Sequence, residues 1–388
     1  MNTKSNKQIR ARYITVFATF LAFMGIGVVD PLLPIIAARI GASSWQIEML
    51  FTAYILTMAI MMIPSGIISN RLGNKKMMVL GLIIVTIFSL LCGVSNGIFQ
   101  LSIFRAGWGF GNSLFLATGL ILLISFSADA NSGIGLYEGA MGLGMSVGPL
   151  VGGFLGDYSW RYPFLATGFL VLIAVILVSV FVYEPEKKTE RKPVGLKELI
   201  KLIKFRPFLS VAISAMFYYY SFFVILAYSP LVIKLTPIQL GGVFFGWGLM
   251  LAIGSAVLAH RLEKNFSPKA VLPWSLFLFV IILGCLFFFN IIWIRIILII
   301  LSGLVSGLNN TLFTSYVMEV SPYERGVTSG AYNFVRWLGA AIAPVLSGAL
   351  SHAISPQFPF EVAAFVTLFG VVLIIIKTSD EIELEEVV

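Results

Sequence analysis

Apolar residues in this chain run on for helix-length stretches, separated by short polar breaks. Ile14 to Ile40, Ile47 to Ser69 and Met77 to Val94 are each long enough to cross a hydrocarbon core of about 30 Å, which takes ~20 helical residues. Further segments begin near Phe99, Ile134, Tyr162, Phe208, Gly241, Leu272, Ile292, Val327 and Phe358, about twelve in all. The pattern predicts an all-α membrane protein with twelve transmembrane helices. Composition agrees: 59% of the 388 residues are hydrophobic and 11% charged, against roughly 25% charged in soluble domains.

The net charge of +8 could suggest a nucleic-acid partner, but the positions of the charges argue otherwise. With a cytoplasmic N-terminus, the inner loops hold Lys4, Lys7, Arg10, Arg12, Arg71, Lys75, Lys76 and the basic run from Lys187 to Arg206. Only Arg39, Arg161, Lys234 and Arg295 fall outside. This positive-inside bias predicts a multi-pass protein of the cell membrane with both termini cytoplasmic. The first apolar run is too long for a signal-peptide core and reads as a retained helix. Cys92 and Cys285 read as inert core thiols, and His260 and His352 are isolated, so no metal site is expected.

The long polar stretch from Glu184 to Pro207 divides the chain into residues 1–184, a cytoplasmic linker at 185–207 and residues 208–388. Leu196, Leu199, Ile200, Leu202 and Ile203 alternate there with Lys197, Glu198, Lys201 and Lys204, as in a short amphipathic helix or a plain basic linker. The halves repeat each other. GFGNSLF (109–115) matches GLNNTLF (307–313), aligning Asn112 with Asn310; GLYE (135–138) matches GAYN (330–333), aligning Glu138 with Asn333; ISNRL (68–72) matches LAHRL (258–262). Two similarly oriented six-helix bundles around a membrane-normal axis are the expected result, an arrangement seen in one class of secondary transporters.

Two stretches carry unusual small residues. In PSGIISNRLGNKK (64–76), Ser65, Gly66 and Ser69 allow close helix contact, Gly73 suits a tight turn, and Arg71, Lys75 and Lys76 suit an anionic inner leaflet. In GMSVGPLVGGFLG (144–156), Gly144, Gly148 and Gly152 form one smooth stripe, with Gly153 beside it, and Pro149 frees a backbone carbonyl. In lipid, such a helix suits close packing on a partner. The second half has a diluted version, GAAIAPVLSG (339–348).

These residues carry a resemblance. The Gly144–Gly153 stretch resembles the antiporter motif of the fifth helix in the major facilitator superfamily. GIISNRLGNKK resembles its signature between helices two and three, RAGWGFG (105–111) its fourth-helix proton motif, and DPLLP (30–34) the first-helix pattern of its twelve-helix drug:proton antiporters. The resemblance implies that fold and proton-driven drug export, with Gly66, Asn70, Arg71, Gly73, Lys76, Gly144, Gly148, Pro149, Gly152 and Gly153 in conformational roles. Asn70 stands where the signature has an acid, and Trp108 where the fourth-helix motif has Gln.

Ionisable groups within spans are functional candidates because they are costly there. Asp30 and Arg105 lie at similar expected depths, and Asp30 could carry a proton or form a static ion pair. Glu138, aligned with neutral Asn333, could titrate or snorkel. Arg336 could balance it or bind an anionic substrate group. MFYYYSFF (216–223) must turn at least one aromatic inward, and Tyr218 or Tyr219 is the expected substrate contact. The candidate substrate residues are thus Trp108, Asn112, Tyr137, Tyr218, Tyr219, Asn310, Asn333 and Arg336. Glu48, Glu319 and Glu361 read as interfacial, and Asp380 to Glu386 as a solvated, disordered tail.

No nucleotide-binding P-loop, catalytic triad or metal cluster is seen, which disfavours a pump or an enzyme. The sequence points to a proton-coupled exporter of amphipathic or cationic small molecules. It needs no cofactor beyond the proton gradient, works among membrane lipids and is expected to be monomeric. The alternatives are a metabolite or siderophore transporter, including uptake symport, a lipid-translocating protein, or a non-transporting sensor or scaffold.

Overall fold

A computed structural model of the chain describes residues 2–42, 44–185, 201–233, 235, 237–323 and 325–385. Twelve helices in it are long and apolar enough to cross a membrane. They are α1 (Asn6–Gly27), α2 (Met49–Ser69), α3 (Asn74–Gly93), α4 (Ile98–Phe126), α5 (Ala130–Gly156), α6 (Tyr162–Phe181), α7 (Arg206–Tyr228), α8 (Ile238–Glu263), α9 (Pro268–Phe288), α10 (Ile292–Val320), α11 (Val327–Ala353) and α12 (Phe358–Ile376). The expected fold class is what the chain adopts.

Packing follows the internal repeat. In the first six helices α1 packs on α5 and α6, α2 on α4, and α3 on α4 and α6. In the second six α7 packs on α11 and α12, α8 on α10, and α9 on α10 and α12. Two related seams, α2–α11 and α5–α8, join the halves. The repeat holds for single backbone contacts. A Cβ on Gly109 of α4 would lie 2.3 Å from the Tyr54 carbonyl of α2, and one on Gly307 of α10 would lie 2.0 Å from the Leu251 carbonyl of α8. Likewise Gly144 meets the Phe20 carbonyl and Gly339 the Met216 carbonyl. Without side chains these residues let main chains touch, the packing that stabilises helices in lipid. Apolar side chains such as Phe169, Ile176, Leu278 and Phe369 stay exposed on α6, α9 and α12, as a lipid-facing surface requires.

The glycine stripe of α5 has a definite partner. Cβ atoms on Gly144, Gly148 and Gly152 would lie 2.4, 2.6 and 2.3 Å from the carbonyls of Phe20, Met24 and Val28. The tight contact is therefore with α1, inside the first half. Pro149 sits within a continuous helix. It frees the carbonyl of Met145 four residues back, and Gly27 lies so close that its Cβ would be 2.7 Å from that oxygen. Gly153 is buried on the same helix. A different set of α5 residues faces the other half: Gly142 meets the Leu251 side chain, and Ser146 donates to the Phe245 carbonyl at 3.0 Å.

Two expectations need correction, and a third falls largely outside the described residues. The run Ile14 to Ile40 is not one helix: α1 ends at Gly27, Asp30–Leu32 form a single 3-10 turn, and Leu33–Ile40 form a second short helix. Pro31 disfavours the helical conformation at Asp30, so depth cannot be counted along a straight helix there. The acidic stretch from Asp380 is helical through Glu385, continuing α12 rather than ending in a disordered tail; Glu and Leu are good helix formers. The amphipathic linker helix falls largely on residues 186–200, outside the described residues, while Lys201–Lys204 are helical.

Candidate functional site

Four helices converge on a sealed polar cluster between the halves. Glu138 lies about two turns into α5 and is 0% exposed, so it neither snorkels nor faces lipid. Its Oε1 lies 3.5 Å from Nη1 of Arg336 on α11 and accepts from Thr314 Oγ1 of α10 at 3.0 Å. Arg336 and Asn333 are three apart and share one face of α11; Arg336 Nε donates to Asn333 Oδ1 at 2.7 Å, and Asn333 Nδ2 donates to Ser329 Oγ. The guanidinium sits over Tyr219 of α7 at 4.7 Å and over Tyr332 at 4.8 Å. Trp337 packs edge-on against Tyr219. At an effective dielectric near 20, unit charges 3.5 Å apart attract by about 5 kcal/mol, so this pair opposes separation of the halves.

Several polar atoms around the pair have no hydrogen-bond partner. Glu138 Oε2, Tyr137 Oη and both amide atoms of Asn310 are buried and unsatisfied. Buried polar groups are ordinarily paired, so this cluster has spare capacity. Asn310 precedes Thr314 by one turn on α10.

A second cluster lies within the first half. Arg105, Trp108 and Asn112 share a face of α4. The Arg105 guanidinium is 4.2 Å from the Tyr54 ring centroid and 5.0 Å from that of Trp108, and Asn112 Nδ2 donates to Tyr54 Oη. Trp108 packs against Phe164 and Gly25 within this bundle and does not line the seam between halves. Tyr218 donates to the Ser306 carbonyl at 3.0 Å and packs on Tyr219, Phe279 and Phe313. Of the tyrosine pair, Tyr219 has its ring under the Arg336 guanidinium. The side chains of Asp30 and Asn70 lie outside the described residues.

The loop between α2 and α3 has a feature no motif announced. Gly73 adopts φ +90°, a conformation glycine tolerates, and presents the first amides of α3 to a carboxylate from the end of α6. Glu184 accepts from Asn74 N at 3.0 Å and Lys75 N at 2.7 Å, while Lys75 Nζ donates to the Ser179 carbonyl at 3.0 Å. Each charge thus sits at the helix end of opposite polarity. Arg71 and Lys76 are exposed beside it, and Gly66 lies against Gly330 across the α2–α11 seam. At the same end, Asp129 caps α5: Ser132 donates to it through both N and Oγ, which holds its carboxyl below the usual range. A cavity there is lined by Asp129, Asn131, His260, Glu263 and Lys264, away from the buried pair. Among the described residues no His, Cys, Asp and Glu grouping suits a metal.

The fold has known counterparts. A human organic anion transporter, MFSD10 (TETRAN), superposes with a TM-score of 0.79 at 15% identity, over 95% of this chain and 99% of that one. The multidrug efflux protein YfmO of Bacillus subtilis is 41% identical, over 95% of this chain and 93% of its own. The quinolone resistance protein NorA of Staphylococcus aureus is 26% identical, over 98% and 99%. These relatives point to a transporter rather than an enzyme, and twelve apolar helices make the chain a multi-pass membrane protein. The sequence pattern of the Major Facilitator Superfamily matches residues 15–344, and the chain belongs to that family.

Proposed function

We propose that the chain exports amphipathic small molecules, cationic ones among them, in exchange for protons, by alternating access with both termini cytoplasmic. The observation that carries this reading is the Glu138–Arg336 pair, which spans the halves at 3.5 Å in a fully buried setting. A proton arriving at Glu138 removes one of the two charges and loosens the seam; its departure restores the attraction. Substrate and proton then compete for one carboxylate, the requirement for exchange. Asp30, at the turn that ends α1, is a second candidate carrier. Efflux relatives over nearly the whole chain support export rather than uptake.

Everted vesicles containing the protein test the direction. An acid interior should drive accumulation of a fluorescent cationic dye, and collapsing the gradient should release it. Accumulation equal to that of vesicles lacking the protein, or unchanged by the gradient, would remove the proposal.

A further inference from the structure

We infer that Glu263 is the cytoplasmic exit for the proton held at Glu138, reached through the hydroxyls of Thr314 and Ser315. The inference rests on the reading that Glu138 exchanges protons. Glu138 is fully buried, so with the halves together a proton can leave it only along polar side chains. Thr314 of α10 already donates to Glu138 Oε1 at 3.0 Å. Ser315 follows it toward the cytoplasmic end of α10, a rise of about 1.5 Å, and its Oγ is buried without a hydrogen-bond partner. Glu263, the last residue of α8, turns its carboxylate toward that serine. Both Glu263 oxygens are buried, and neither closes a hydrogen bond. Buried polar groups are ordinarily paired, so this open serine and open carboxylate mark a step where a hydrogen bond can form and pass on.

On its other side Glu263 opens to the cytoplasmic face. It lines a cavity of about 340 Å³ with Asp129 and Asn131 from the start of α5 and with His260 and Lys264 from the end of α8. Asp129 and Glu319 of α10 are the acids near enough to act on it, and His260 offsets the charge of Asp129. The internal repeat is broken here as it is at Glu138: aligning ISNRL with LAHRL sets Glu263 opposite Gly73. A hydroxyl both donates and accepts, which lets the two side chains hand a proton on. The Glu138 carboxyl gives its proton to Thr314 Oγ1, whose own hydrogen passes over a bridging water to Ser315 Oγ. Ser315 gives its hydrogen to a Glu263 oxygen. Glu138 is left as the anion that attracts Arg336, and Glu263 releases the proton into the cavity.

Everted vesicles carrying the full-length protein test this with radiolabelled ethidium, an amphipathic cation, in two modes. Accumulation driven by an acid interior requires proton release at the cytoplasmic face. Exchange of external label for unlabelled ethidium preloaded inside, without a gradient, requires none. Glu263→Gln should slow the first mode about tenfold, since cavity water replaces the carboxylate only in part, and leave the second within about twofold of wild type. Ser315→Ala should slow the first mode by about threefold. Deuterium oxide should slow gradient-driven uptake more in Glu263→Gln than in wild type, an effect that damage to packing does not produce. Gradient-driven uptake at the wild-type rate in Glu263→Gln overturns the inference. Equal loss of both modes in a variant that elutes like wild type on size exclusion also overturns it. If Glu263→Gln does not fold, the ratio of the two modes in Ser315→Ala decides. Wild-type protein that exchanges ethidium but ignores the gradient sinks the proton-coupled reading itself. A gradient-driven wild type beside an unimpaired Glu263→Gln sinks only this exit.

Discussion

Glu138→Gln should reduce gradient-driven export to the level of vesicles without the protein, and should also lower thermal stability. The amide keeps the side chain's shape and can still accept from Thr314 Oγ1, but it neither exchanges a proton nor carries charge. Arg336 is then left buried without its countercharge, and breaking a buried pair on one side costs about 3–5 kcal/mol. The double variant Glu138→Gln/Arg336→Gln should recover most of that stability, because no lone charge remains, while export stays absent. Thermal unfolding in detergent paired with vesicle transport reads both effects. A double variant as unstable as the single one would show that the pair does not couple the two sites. Gradient-driven export retained by Glu138→Gln would move proton exchange to another group, with Asp30 next to be substituted.

The second large effect falls on the α1–α5 contact. Gly148→Ala places a methyl 2.6 Å from the Met24 carbonyl and 2.8 Å from the Val28 nitrogen. These are main-chain atoms and cannot swing aside as a side-chain tip would. Overpacking of this kind costs about 1–3 kcal/mol, and Gly148→Val should exceed it. Gly284→Ala is the control, since nothing lies within 4 Å of a Cβ there; a helical glycine-to-alanine change in open space should be neutral or gain a few tenths of a kcal/mol. Size-exclusion profiles after graded heating compare the three variants. Wild-type stability in Gly148→Ala would mean that α1 and α5 are not in backbone contact.

Much of the fold is legible in the sequence because lipid makes strong demands. A span must be long, apolar and helical, and each was visible as a run. The seam pairings were not, since they depend on which face of each helix turns inward. The stripe at 144, 148 and 152 announced a tight partner without saying that it was α1. The interruption after Gly27 is hidden in the sequence because Asp30-Pro31 stands inside an otherwise unbroken apolar run.

The candidate site was partly legible. Glu138, Arg336 and Asn333 stood out as polar groups in apolar helices, and the structure brings them together. Thr314 and Tyr332 were overlooked, although Tyr332 lies inside the quoted GAYN and aligns with Tyr137 of GLYE. For Tyr332 a polar residue kept in both copies of the repeat was the available signal, whereas Thr314 pairs with Leu116 and had none. Trp108 packs inside the first bundle, as an aromatic ring fits a bundle core as readily as a cavity wall. The Glu184 contact gave no signal, as its partners are 110 and 109 residues away and are main-chain amides that any residue supplies.

The Glu184 contact has a consequence for taking the chain apart and putting it together again. The carboxylate that grips the first amides of α3 is followed at once by Pro185, so the first half is tied down by its own chain up to Glu184. Two co-expressed fragments divided after Pro185 should reassemble into a working carrier, and division after Tyr183 should yield less, because the first fragment then lacks its clasp. Equal recovery of dye efflux from both divisions in intact cells would show the clasp to be dispensable.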